Sequence, residues 1–263
     1  MLSAVRHAMQ IFEALADEPS GLSVTDLSTR AALNKGSIAR VLITLERGEY
    51  VVQDPATERY HLSLRTISLA NRYMDRIGFT ALIQPVVAEL AGATGELAQL
   101  SAADGDRLYV IAKAEGDNPI RVESLLGREI ALHASATGKA WLSALPPARA
   151  RRILATLSLD KLGPRTITGV KALERELKEA RARGFAIQRE ELMDHMCAIA
   201  VPILRGSDSE PVGALTVAAP TFRFPLERML EVRPLLGGAA ERIRAAWPSS
   251  AVVRRGQSRA ALG

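Results

Sequence analysis

The strongest constraint on the fold lies in residues 2–64, where three short segments with helical periodicity precede two with strand periodicity. The helical segments cover residues 2–16, 22–33 and 37–51. A break of only three or four residues around Asn34 separates the second helix from the third, and Asp54 and Pro55 form the turn of a β-hairpin. Three helices and a hairpin in this order are typical of a winged helix-turn-helix.

The third helix is predicted to enter the major groove of DNA, because the second helix holds it at a steep angle. Residues 30–47 carry Arg30, Lys35, Arg40 and Arg47 against the single Glu46, a cationic strip that suits phosphate contacts. Overall charge decides little, since residues 1–76 hold nine basic and nine acidic residues although the whole chain carries +5. A three-helix packing module that does not touch DNA is the alternative.

Residues 64–78 predict an amphipathic helix with Ile67, Ala70, Met74 and Ile77 on one face. We interpret it as a linker that packs on a partner chain, between a DNA-binding domain at 1–63 and a second domain at 79–248. The alternative is that it forms the first helix of the second domain. Residues 249–263 contain small residues and arginine without an apolar pattern, which predicts a disordered tail.

The second domain is predicted to be α+β, with helices on the faces of an antiparallel sheet. A helix at 81–95 precedes a hairpin of strands at 96–103 and 107–115 around Asp104 and Gly105, and then a short strand at 120–124. Helices follow at 137–145, 148–157 and 170–184. Strands at 185–192, 197–204 and 211–219 precede a closing helix at 225–247, expected to be perturbed at Pro234.

The residues typical of catalysis or metal binding are scattered. Lys139 follows Gly138, but His133 occupies the position where a phosphate-binding loop needs glycine, and Ala140 replaces its Ser or Thr. His7, His61, His133 and His195 are dispersed, and His195 with the lone Cys197 is a weak candidate for a thiolate pair. Glu190 and Glu191 are interpreted as a solvated charge pair. We therefore predict no catalytic residue, metal or cofactor; a cytoplasmic enzyme of unknown reaction with a helical accessory module is the alternative.

The chain is expected to act in the cytoplasm. It has no apolar run of about 18 residues, so no membrane contact is predicted. Its N-terminus lacks the pattern of a secretory signal, and a single cysteine cannot form an internal disulfide.

Motifs along residues 3–247 resemble the IclR family of bacterial transcriptional regulators. They are the helix-turn-helix at 22–51, the wing segment at 54–73, ALHASATGKAWLS at 131–143, PRTIT at 164–168, ARARGFAI at 180–187, EEL followed by CAIAVPI at 190–203, and VGALTVAAP at 212–220. The resemblance implies a dimer or tetramer that binds repeated or palindromic half-sites in double-stranded DNA. It also implies a GAF-like second domain that binds a small effector, commonly an organic acid.

The resemblance places the DNA contacts on and near the third helix. The residues implied are Thr25, Lys35, Gly36, Ser37, Arg40 and Thr44, with Arg59 on the wing as a weaker phosphate contact. Asn34, Gly36 and Ala39 depart from the usual Pro, Ser and larger polar residue of the family. These departures shift the expected contacts toward Lys35, Ser37 and Arg40. Arg40 is expected to donate two hydrogen bonds to the major-groove edge of a guanine.

The resemblance also implies an effector pocket between a turn and three strands. Its residues are Leu132, His133, Ala134, Ser135, Thr137, Gly138, Gln188, Cys197, Ala198, Thr216 and Ala218. Family members that bind small hydrophilic acids tend to carry Asp, Cys and Ser where this chain has Gln188, Ala198 and Ala218. We therefore expect an organic acid with an apolar or aromatic body, its carboxylate at the 133–138 turn. The alternative is that the two alanines pack in a core without a cavity.

Overall fold

The computed structural model describes residues 2–206 and 210–247, and the tail expected to be disordered lies outside them. The chain divides into two compact units, residues 1–76 and residue 77 onward. The first unit is a helical domain with a small hairpin, and the second is an α+β domain. The predicted fold class is therefore confirmed.

The first unit has the element order of a winged helix-turn-helix. Its elements are α1 (Ser3–Ala16), α2 (Val24–Ala31), α3 (Lys35–Arg47), the antiparallel strands β1 (Val51–Gln53) and β2 (Tyr60–Leu62), and α4 (Leu64–Arg76). Ile11, Leu27, Ile38 and Leu42 are fully buried where α1, α2 and α3 meet. The apolar residues at helical spacing thus form one core beneath three helices.

Side-chain caps define where α2 and α3 begin. Ser23 and Asp26 form a capping box, in which each side chain accepts a hydrogen bond from the backbone N–H of the other at 3.1 Å. The third helix begins at Lys35, two residues earlier than predicted. The reason is that Asn34 acts as its N-cap, with Oδ1 accepting from the Ser37 N–H at 2.8 Å.

The second unit is built on a five-stranded antiparallel sheet in the order β4-β3-β7-β6-β5. Its elements are α5 (Phe79–Thr94), β3 (Leu97–Asp104), β4 (Arg107–Ala114), α6 (Ala136–Ala144), α7 (Pro147–Thr156), α8 (Val170–Arg183), β5 (Ala186–Arg189), β6 (Met196–Arg205), β7 (Glu210–Pro220) and α9 (Leu226–Ala246). Helices α6 and α8 cover one face of the sheet, and α5 and α9 pack together on the other.

One strand predicted in the second unit is wrong. Residues 120–124 form no strand, because side chains bind the carbonyls at both ends of the segment: Arg223 donates to Ile120 and Lys113 donates to Ser124. Helix α9 continues through Pro234, so the perturbation expected at that residue does not end the helix.

The turn that leads into α6 is tightly packed. Residues 132–143 are all buried. A Cβ on Gly138 would lie 2.4 Å from both the Cα and the carbonyl oxygen of Leu132, far inside van der Waals contact. The Gly138 N–H donates to the Ser135 hydroxyl at 3.0 Å, which caps the helix. The turn can therefore hold this shape only with glycine at position 138.

We predict that Gly138→Ala lowers the free energy of unfolding of the second domain by about 2 kcal/mol or more, because the added methyl group forces the turn away from the helix. Gly92→Ala is the matched control: Gly92 is exposed within α5, where an added Cβ meets nothing within 4 Å. The free energy of unfolding of the Gly92→Ala variant should rise by up to about 1 kcal/mol. Urea denaturation of the two variants measures both effects, and equal stability of the two would contradict the packing argument.

Candidate functional site

The exposed face of α3 groups most of the predicted DNA-binding residues. It carries Lys35, Gly36, Arg40 and Thr44, with Ser37 partly exposed beside them. Ile38 and Leu42, on the opposite face, are fully buried. Ser37, Arg40 and Thr44 also line a groove of about 600 Å³ against the start of α1, so these three side chains share one side of the helix.

The start of α3 offers amide donors as well as a cation. Because Asn34 caps the Ser37 N–H, the first-turn amides left to an outside acceptor are those of Lys35 and Gly36. Arg40 donates from Nε to the Gly36 carbonyl at 3.3 Å, and this contact leads its side chain back toward the start of the helix. An arginine held in this way can donate two parallel hydrogen bonds from its two Nη groups to an acceptor.

Arg59 and Thr25 lie outside α3 and differ in their contacts. The Arg59 guanidinium donates to the Gly21 carbonyl at 2.8 Å and lies 3.7 Å from the Asp26 carboxylate. It thus joins the wing to the segment preceding α2, a bracing role that the sequence did not reveal. Thr25 is exposed in the first turn of α2, and its carbonyl accepts from Thr29.

In the second unit, several predicted effector residues meet on the α6 side of the sheet. Gln188 pairs in register with Ala198, and Ala198 pairs with Ala218, so the three form one row across β5, β6 and β7. Thr216 lies in the next row, and its hydroxyl is 2.7 Å from that of Thr137. Ala198 and Ala218 also belong to the hydrophobic core on this side.

Gln188 is the least expected member of this row. Its side chain is fully buried, yet neither Nε2 nor Oε1 has a hydrogen-bond partner among the described residues. A buried amide normally has partners, because leaving it unpaired costs about 1–3 kcal/mol per group. An unpaired donor and an unpaired acceptor therefore stand together inside the α6 side of the domain.

The side chains of the 132–138 turn are largely engaged within the fold. Ser135 Oγ donates to the Ala131 carbonyl at 2.7 Å and accepts from Gly138. His133 Nε2 lies 2.8 Å from the carbonyl of Asp160. The turn therefore offers an anion mainly the backbone N–H groups of Ala136 and Thr137, the first two of α6.

Cys197 is separated from the other predicted effector residues. It precedes Ala198 on β6, so its side chain lies on the opposite face of the sheet. Burial raises the pKa of the Cys197 thiol, which disfavours the thiolate. His195 lies outside the strand and is 84% exposed at its side chain, so no buried His–Cys pair forms.

The prediction that Glu190 and Glu191 form a solvated pair is wrong for Glu191. Its carboxylate is buried and accepts two hydrogen bonds from Lys139 Nζ, at 2.6 and 2.8 Å. Lys139 itself has no exposed surface. Burial raises the pKa of the Glu191 carboxyl, although Lys139 opposes the shift. Lys139 is the single charged residue within α6, and this was the signal in the sequence.

Glu190, Asp194 and His195 bring three potential ligand atoms within 4.8 Å of one another at the surface. Exposed groups of this kind are common without a metal, and nothing else in the described residues points to an ion here. Among the described helices, none is long and apolar enough by itself to cross a membrane. Helices α4 and α5 reach that length only as a broken pair, and much of α5 is buried in the second unit.

Two family models match this chain. The IclR helix-turn-helix domain matches residues 4–55, and the bacterial transcriptional regulator IclR C-terminal domain matches residues 71–245. The HTH-type transcriptional regulator BhcR of Paracoccus denitrificans is 31% identical over 87% of this chain and 81% of its own length.

Solved structures show the same fold. An IclR transcriptional regulator from Alicyclobacillus acidocaldarius matches with a TM-score of 0.85 and 26% identity, over 94% of this chain and 99% of that one. An IclR homologue from Microbacterium hydrocarbonoxydans, solved with 4-hydroxybenzoate, matches with a TM-score of 0.79 and 21% identity, over 93% of this chain and 98% of that one.

A winged helix-turn-helix joined to an α+β ligand-binding domain defines a transcriptional regulator, not an enzyme. The chain belongs to the IclR family.

We predict that Arg40→Ala weakens operator binding by about 1–3 kcal/mol and relaxes sequence preference, as expected for loss of a bidentate base contact. Arg47→Ala, at the other end of α3, is the control; it should lower affinity for all sequences alike, if at all. Fluorescence anisotropy with operator and scrambled duplexes measures both. Full, sequence-specific binding by the Arg40 variant would contradict the assignment.

Proposed function

We propose that this protein is a regulator that binds operator DNA through α3 as a homo-oligomer, in the cytoplasm. Its effector is a hydroxylated organic acid with an apolar or aromatic body. The buried, unpartnered amide of Gln188 is the single observation that carries the choice of effector.

The carboxylate end belongs at the start of α6. The N–H groups of Ala136 and Thr137 and the positive end of the helix dipole favour an anion there. The Thr137 and Thr216 hydroxyls bind one another, which uses one of their two protons and leaves the other for a carboxylate oxygen. Ser135 is excluded from a direct role, since its hydroxyl serves the helix cap.

The body of the ligand belongs over the short side chains of Ala198 and Ala218. The apolar cluster on this side of the sheet contains Leu97 and Leu132, and Val122 and Ile130 pack against it. Each CH₂ group of a ligand buried in such surroundings contributes about 0.8 kcal/mol. A two- or three-carbon hydrophilic acid gains little from this surface.

The far end of the ligand meets Gln188. Its amide offers one group that donates and one that accepts, and neither is paired within the protein. A hydroxyl group both donates and accepts, so a single hydroxyl can pair with the two halves of the amide. The homologue from Microbacterium hydrocarbonoxydans was solved with 4-hydroxybenzoate, an acid with this arrangement of groups.

We predict that 4-hydroxybenzoate-like acids bind more tightly than benzoate, and benzoate more tightly than glyoxylate or pyruvate. The hydroxyl should contribute about 1–3 kcal/mol, since without it the Gln188 amide stays unpaired in the complex. Calorimetric titration measures the order. Tighter binding of the small hydrophilic acids would contradict the proposed effector class.

Gln188→Leu is the matched test of the role of Gln188. The substitution keeps the volume and removes both polar groups, so the preference for 4-hydroxybenzoate over benzoate should disappear. The variant should be at least as stable as the wild type, because it removes an unpaired buried amide. A Gln188→Leu protein that keeps the wild-type preference would rule out Gln188 as the partner of the hydroxyl.

The proposed oligomer is supported by α4. None of its residues is buried, although Ile67, Ala70 and Met74 lie on one apolar face. Its start is held to the DNA-binding unit, because Arg65 binds Glu49 at 2.6 Å. A single recognition helix contacts only a few base pairs, so selection against a genome requires two half-sites in register. We propose that α4 of a second copy covers this face.

Ile67→Asp should shift the protein toward monomer and weaken operator binding, since a carboxylate replaces an apolar contact. Leu69→Asp is the matched control, an equally exposed leucine on the other side of α4. Sedimentation velocity at micromolar concentration measures the oligomeric state. A dimer that survives Ile67→Asp but not Leu69→Asp would place the contact on the other face.

A further inference from the structure

Lys139 is a fully buried cation that neither DNA binding nor the proposed effector contacts explain. Its Nζ lies 2.6 and 2.8 Å from the two carboxylate oxygens of Glu191, so the pair is bidentate. A second carboxylate, Glu176, lies 3.7 Å away, but it is engaged more closely by Arg183 at 2.7 Å. Lys139 and Glu191 therefore neutralise each other inside the domain.

The pair connects the two sides of the proposed effector site. Lys139 follows Gly138 directly and lies in the first turn of α6, next to the amides that would hold the carboxylate. Glu191 lies three residues after Gln188, just beyond the end of β5. The ion pair thus fixes the distance between the helix start and the strand that carries the unpaired amide.

The segment at 157–169, between α7 and α8, contacts both the residues that follow β5 and the turn before α6. At one end, Thr166 donates to the Glu191 carbonyl and the Arg165 N–H donates to that of Glu190. At the other end, the Asp160 carbonyl lies 2.8 Å from His133 in the turn before α6. The turn, the ion pair and this segment therefore stabilise one another through contacts.

We propose that the Lys139–Glu191 pair is a positioning device for the effector site, which holds the 132–138 turn at the distance from Gln188 that a bound ligand requires. Neither residue contacts the ligand. The proposal rests on the proposed effector site for its consequence in ligand affinity, but the positioning itself can be measured without a ligand.

A purely structural role predicts a different result from a positioning role. Removing one partner of a buried pair leaves an uncompensated charge and destabilises the fold, whereas replacing both by apolar residues of similar size is often neutral. Lys139→Met alone should therefore lose stability, and Lys139→Met/Glu191→Leu should recover it. If the pair only supports the fold, the double variant regains every property of the wild type.

We expect the double variant to recover stability and apo operator binding but to exchange the amide hydrogens of residues 132–140 and 188–196 at least tenfold faster than the wild type. Hydrogen exchange with mass spectrometry measures this, and exchange in α5 and α9 provides the internal control. Wild-type exchange in both segments would overturn the proposal. Affinity for 4-hydroxybenzoate should also fall at least tenfold in the double variant; unchanged affinity would equally overturn it.

The two proposals fail in distinguishable ways. If the wild-type protein binds none of the hydroxylated acids, the effector assignment is wrong, while the exchange measurement still decides the positioning role. If the double variant does not fold, Glu191→Gln replaces it, since the amide keeps an acceptor for Lys139 but removes the charge. The same two segments should then exchange faster, and wild-type protection in them would overturn the proposal.

Discussion

The close approach of α6 to the central strands is the constraint on which the ligand-binding domain depends. The sheet face beneath the helix carries only short side chains along much of its area: Ala186, Ala198, Ala200, Ala214 and Ala218. Gly138 allows the start of α6 to fold against the backbone of Leu132, and Trp141 donates to the Pro211 carbonyl at 2.9 Å. These two contacts fix the position of α6 against the rest of the domain.

In the DNA-binding unit, the constraint is that α3 has one buried face and one exposed face. Ile38 and Leu42 anchor α3 in the core, so Arg40 and Thr44 must face outward. Asn34 fixes where the helix begins, and Arg59 braces the wing against the loop before α2. The proposed recognition surface is therefore positioned by capping and packing, while its outward residues are exposed.

Periodicity predicted most of the elements because their apolar residues recur at helix or strand spacing. The helices and the hairpin of β3 and β4 follow directly from apolar spacing and from the turn residues Asp104 and Gly105. Periodicity failed at 120–124, where Arg223 binds a carbonyl from more than 100 residues away. It also failed to show that Glu191 is buried, because the tertiary partner Lys139 decides this. Local sequence carries no record of such partners.

Two kinds of buried polar group in the ligand-binding domain differ in how they are compensated. Lys139 and Glu191 are charged and satisfy each other, so their burial fixes geometry without requiring a ligand. Gln188 is neutral and unpaired. A carboxylate at that position would need a cation, since burying an isolated charge is far more costly than burying an amide. The neutral amide therefore favours a neutral ligand group beside it, and in the proposed complex the negative charge of the ligand lies at the opposite end, near the α6 amides and the positive end of the helix dipole.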